Sequence, residues 1–152
     1  MRLYLSDESE TQKLGEKLAA IAQAGDVLLL EGPLGAGKSC LSRAFIRALM
    51  QDPRVAVPSP TFTLVQTYQA PEGVEIWHYD LWRLDSPDAL EELGWDEALS
   101  GIVLVEWPDR LAALTPPDAW RLRLSLSGVG REIEISGDLR GFDARGLDVR
   151  AG

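Results

Sequence analysis

Val27-Leu28-Leu29-Leu30-Glu31-Gly32-Pro33-Leu34-Gly35-Ala36-Gly37-Lys38-Ser39-Cys40 is the stretch on which the fold turns. Val27 to Glu31 opens with a continuous apolar run, the pattern of a strand buried on both faces. Beyond Ser39, the apolar residues Leu41, Phe45 and Leu49 recur every four positions and form one helical face, which Asp52-Pro53 stops. Between them, Gly32-x-x-x-x-Gly37-Lys38-Ser39 is a complete phosphate-loop pattern in the strand–loop–helix setting it requires. Glycines let backbone N–H groups converge on an anion without a Cβ in the way. The helix adds the positive end of its dipole. Gly32, Pro33, Leu34, Gly35, Ala36, Gly37, Lys38, Ser39 and Cys40 are therefore expected to form a nucleotide-binding segment. Lys38 would reach the β- and γ-phosphates, and the Ser39 hydroxyl would ligate Mg²⁺. Cys40 reads as a small helix residue under the loop rather than as a nucleophile.

Such a loop needs a carboxylate at the end of a neighbouring strand to position the metal and its waters. Two residues have that setting. Asp80 closes the strand-like Val74 to Asp80, and Glu106 closes Ile102 to Glu106. In open α/β sheets, ligands collect at the C-terminal edge of the strands. Asp80 is assigned to the magnesium shell. Glu106 is assigned to the attacking water, and the two roles are exchangeable. Ser59-Pro60-Thr61-Phe62 lies between the loop helix and Asp80, where nucleotide switches carry a threonine that senses the γ-phosphate; the alternative is an ordinary turn. His78 shares Asp80's face and reads first as a packed histidine. Trp82 and Trp107 read as packing residues.

Toward the chain ends, Arg2 to Leu5 is a short strand. A helix follows from Asp7, whose spacing to Glu10 resembles a capping box, and it is expected to end at Gly25. Phe62 to Tyr68 and Val74 to Asp80 suggest a hairpin about Ala70 to Gly73. Ser86-Pro87 opens a helix to Leu93. Trp120 to Ser127 alternates apolar and polar residues and turns at Gly128-Val129-Gly130 into Glu132 to Ser136, a terminal antiparallel hairpin. The expected architecture is an α/β, three-layer domain of the phosphate-loop type over residues 1–137, with a mixed, mostly parallel sheet. Residues 138–152 carry little signal and are read as a tail with partial disorder.

Composition narrows the function classes. With 152 residues, a net charge of −9 and 45% hydrophobic residues, the chain fits one globular domain and is a poor direct binder of nucleic acid. One cysteine and one histidine exclude an intrachain disulfide and argue against a zinc site. No membrane span is legible, and a cytoplasmic location is expected. The chain has no asparagine, and its lysines outside the loop, Lys13 and Lys17, lie upstream of it, so the Asn-Lys-x-Asp guanine box is missing. No arginine-rich lid marks a small-molecule kinase, although that reading stays open. A nucleotide-gated ATPase acting on a partner needs only the loop, a sensor and the carboxylates.

In order and spacing, GPLGAGKS (32–39), SPTFTLVQTY (59–68), HYDLWRL (78–84) and VLVEWPDRL (103–111) closely resemble the TsaE (YjeE-type) family, over roughly residues 1–137. The resemblance implies a single mixed α/β domain, ATP with Mg²⁺, and weak hydrolysis by the protein alone. It also implies a role in threonylcarbamoyl modification of tRNA adenosine, through the partners TsaD and TsaB, with tRNA reached only indirectly. By motif, Lys38, Ser39, Thr61, Asp80 and Glu106 match the family's site positions. Pro33, Cys40 and Trp82 depart from its common residues.

Overall fold

The computed structural model describes residues 1–33 and 35–150. The apolar run becomes β2 (Val27–Glu31) at the heart of one sheet, and the periodic segment becomes α2 (Lys38–Met50). The remaining strands are β1 (Arg2–Leu5), β3 (Val65–Gln69), β4 (Glu75–Asp80), β5 (Ile102–Glu106), β6 (Trp120–Ser127), β7 (Gly130–Ser136) and β8 (Asp148–Arg150). The other helices are α1 (Glu8–Ile21) and the short α3 (Trp95–Ala98), with 3-10 turns at Pro87–Leu93 and Pro108–Leu114. Among the described residues, the strands form one eight-stranded sheet in the order β3-β4-β5-β2-β6-β7-β1-β8.

The sheet is mixed, and its parallel part is concentrated in the middle. β4 pairs parallel with β5, β5 with β2, and β2 with β6. Antiparallel pairs flank this centre: β3–β4 on one side, and β6–β7, β7–β1 and β1–β8 on the other. Parallel pairing is thus the central rather than the prevailing kind, because the hairpins and the two chain ends close the sheet with antiparallel strands.

Strand alternation splits the core in two. Leu28, Leu30, Ile76, Leu104 and Leu122 pack with Leu14 and Leu18 of α1 and with Leu41, Phe45 and Ile46 of α2. Leu29, Trp77, Tyr79, Val103 and Val105 face the other way, against Leu90, Trp95 and Leu111. Both faces of the central strands are therefore covered, which is why β2 is apolar at every position from Val27 to Leu30. Each buried leucine contributes about 2 kcal/mol.

Local signals account for the element starts. Asp7 caps α1, its Oδ1 accepting the Glu10 N–H at 3.1 Å. Ser86 accepts the Asp88 N–H at 3.2 Å and opens the 3-10 turn. The helix α1 stops at Ile21, with Ala22 already extended, so Gly25 does not terminate it. Gly25 instead sits in the following turn, where its N–H donates to the Gly101 carbonyl at 2.8 Å. Residues 138–150 fold back onto the domain. β8 pairs with β1, and Leu147, Leu139, Phe142 and Ala144 pack on the larger core cluster. Within the described residues, no helix is long and apolar enough to cross a membrane.

Candidate functional site

Parallel pairing places the C-terminal ends of β2, β4 and β5 along one edge, and the loop from β2 to α2 crosses that edge. Gly32 leaves β2 with φ +146°, and a Cβ there would lie 2.6 Å from the Leu124 carbonyl oxygen of β6. Both the dihedral and the close approach require glycine. Gly37 precedes α2, and its carbonyl accepts the Leu41 N–H at 3.0 Å, so the first helical turn presents its free N–H groups to the cleft. Pro33 accepts the Ala36 N–H at 3.2 Å, and Ala36 is fully buried beneath the loop. Leu34 lies outside the described residues.

Lys38 opens α2 with only 7% exposure, and its Nζ stands 4.4 Å from the centroid of the Trp107 ring. Trp107 follows Glu106 in the left-handed region, φ 58° and ψ 55°, an uncommon conformation for a bulky residue. Its ring meets Trp82 at 4.5 Å, and Trp82 is half exposed. The two tryptophans therefore wall the cleft beside the lysine, a placement that reading them as packing residues does not anticipate.

The carboxylates meet as the sequence implies. Asp80 and Glu106 are partners in the β4–β5 register, side by side at the strand ends, and both are buried. Asp80 accepts from the Thr61 hydroxyl at 3.0 Å and from the Trp82 N–H at 3.1 Å. Thr61 Oγ1 also lies 2.7 Å from Ser59 Oγ, which ties the threonine segment to the aspartate. Glu106 Oε2 lies 2.7 Å from His78 Nε2, a contact buried from solvent. Two abutting carboxylates in low dielectric repel, so each needs its own donors.

These groups line a cleft of about 780 Å³. Gly35, Gly37, Lys38, Ser39, Cys40, Thr61, Asp80 and Glu106 all contribute to it; Gly32 lines a smaller recess of about 410 Å³ on the far side of Lys38. The Cys40 thiol is pushed above its ordinary value by burial, reinforced by the Glu8 carboxylate, and so stays protonated and non-nucleophilic at neutral pH. The far end of the cleft comes from segments the sequence reading left out. They are Ser6 to Glu8 ahead of α1, and Val129 to Arg131 at the β6–β7 turn. Arg131 Nε donates to the Gly35 carbonyl at 3.0 Å and braces the loop from across the sheet. No local pattern marks Arg131, since its role depends on β7 lying two strands from β2.

Hydroxyl and carboxylate oxygens are the hard donors that Mg²⁺ takes, and Ser39, Asp80 and Glu106 share this cleft. The donor set therefore fits that ion. Glycine loop, helix start, buried lysine and paired carboxylates at one sheet edge define an α/β protein of the phosphate-loop class. The family model described as threonylcarbamoyl adenosine biosynthesis protein TsaE matches residues 5–133, and the chain belongs to that family. A TsaE protein of Rickettsia conorii is 44% identical over 115 residues, covering 74% of this chain and 65% of its own length. One from Aquifex aeolicus is 40% identical over 108 residues, 71% of this chain and 77% of its own. One from Bacillus subtilis is 37% identical over 122 residues, 78% and 73%. The crystal structure of Bacillus subtilis YdiB superposes with a TM-score of 0.73 at 28% identity, over 90% of this chain and 84% of that one.

Proposed function

We propose that the cleft binds ATP with Mg²⁺ and hydrolyses it slowly, and that the bound nucleotide gates action on a TsaD–TsaB complex in tRNA threonylcarbamoyladenosine formation. The observation that carries this reading is the buried Lys38 ammonium at the mouth of the glycine loop, within one cleft with Ser39, Thr61, Asp80 and Glu106. Lys38 and the loop amides grip the β- and γ-phosphates. Ser39 and Asp80 hold the magnesium ion, which screens phosphate charge. Glu106 orients the attacking water.

Thr61 is the switch. Its hydroxyl donates to Asp80 Oδ2 at 3.0 Å. With nucleotide it turns to the γ-phosphate end of the site, and the segment 58–64 moves with it. Phe62, 82% exposed within this segment, and half-exposed Trp82 are the surface offered to a partner. Coupling of this kind carries about 1–3 kcal/mol. The acidic chain reaches tRNA only through that partner, in a cytoplasmic setting.

The deciding experiment measures ATP hydrolysis with and without TsaD, TsaB and tRNA. Partner-stimulated turnover, lost in Glu106→Ala with ATP affinity retained, is the expected result. The alternative, a small-molecule kinase, would use the recess lined by Glu31, Asp109 and Arg123 for its acceptor. Rapid phosphoryl transfer to a small hydroxyl compound, with no effect of the partners, would overturn the switch reading in its favour.

A further inference from the structure

We infer that His78 is a positioning residue for Glu106: its imidazole holds one carboxylate oxygen and leaves the other to the cleft. This rests on the nucleotide-site reading of Glu106. His78 is opposite Leu104 in the β4–β5 register, two residues before Glu106, so the pair meets on the diagonal of one sheet face. Nε2 and Oε2 are 2.7 Å apart, with 2% and 7% of the two residues exposed. Glu106 lines the cleft and His78 does not. The imidazole therefore approaches the carboxylate from its core side and would not itself touch nucleotide.

The neighbouring carboxylate shows why a donor is needed there. Asp80, abreast of Glu106, draws its hydrogen bonds from Thr61 and from the Trp82 backbone. Among the described residues His78 is the side chain bonded to Glu106. With the Nε2–H donating, Asp80 is held from the switch side and Glu106 from the sheet interior. His78 Nδ1 is buried with no hydrogen-bond partner among the described residues. A buried polar atom without a partner is costly, so packing alone would favour an apolar side chain here. The same unpartnered Nδ1 is best accommodated as a bare lone pair, which leaves the proton on Nε2, facing Glu106.

The experiment compares His78→Gln, whose amide nitrogen can reach the ε position, with His78→Asn, which is equally polar but shorter, and with apolar His78→Met. Each is tested for Mg·ATP turnover in the presence of the partner proteins and for ADP affinity without magnesium. Loss of an outer-shell partner typically costs roughly 10–100-fold in activity or metal affinity. The expected pattern is such a loss of kcat in the Asn and Met variants, near-native kcat in Gln, and ADP affinity within about twofold throughout. Two outcomes overturn the proposal: equal kcat in all variants, or equal losses in Gln and Asn. The Gln–Asn comparison decides the matter even where the Met variant does not fold. If the native protein itself fails to bind nucleotide, the site reading falls instead, so the two failures are distinguishable.

Discussion

Lys38 sits over an indole with its charge buried, and both facts bear on what its removal does. A cation against a tryptophan face gains about 1–2 kcal/mol where solvent is excluded. A triphosphate would gain far more from the same ammonium. Lys38→Ala is expected to cut ATP affinity by at least 100-fold while costing little stability, because the desolvation of the charge disappears with the charge. Titration calorimetry of ATP against the native and variant proteins measures the first effect, and a thermal melt measures the second. Unchanged affinity would remove the central residue from the site. The meeting of Lys38, Ser39, Asp80 and Glu106 in one cleft was legible because each position follows from spacing along one strand end or one helix start. The Trp107 conformation was not, since a left-handed tryptophan leaves no mark in composition or periodicity.

Among the elements, β1 to β7 and α2 were readable from the apolar pattern, and the two hairpins from their turn residues, whereas β8 lies in the segment read as a tail. The short α3 and the 3-10 turn at Pro108–Leu114 were not, because four to seven residues do not complete a periodic pattern. The far wall of the cleft was hidden for another reason: it depends on which strands become neighbours. β6 next to β2 brings Leu124 against Gly32, and that contact gives an element-level prediction. Gly32→Ala must both adopt a positive φ and displace the Leu124 carbonyl. It is expected to destabilise the protein by about 3 kcal/mol, a fall of roughly 6–12 °C in melting temperature. Gly25→Ala shares the positive φ but meets no atom within 4 Å, so it should cost only about 1 kcal/mol. Equal melting temperatures for the two variants would mean that the β2–β6 contact does not constrain the loop.

Over the whole molecule, the charge balance governs behaviour in acid. The Ser9 hydroxyl, with the Glu10 N–H, holds the Asp7 carboxyl below its ordinary value, and Arg145 holds Asp143 down to about 2. Both groups have lower pKa values folded than unfolded. Their stabilisation is thus complete above the unfolded value and lost as pH falls through the folded one. Melting temperature should be level from pH 7 to about pH 5 and should fall between about pH 4 and pH 2. Asp7→Asn keeps a capping oxygen without the charge, so its melting temperature should fall less steeply over that range. A parallel fall in both proteins would remove Asp7 from the account. Solubility should be lowest near the isoelectric point of about 4.6. The sheet order also sets a schedule for biosynthesis. Among the described residues β1 pairs with β7 and β8, so it has no edge to join until the chain has been translated as far as β7 (Gly130–Ser136). Leu3 and Leu5, fully buried at the end, travel unsheltered until then, and that interval is when a ribosome-associated chaperone would matter most to this chain.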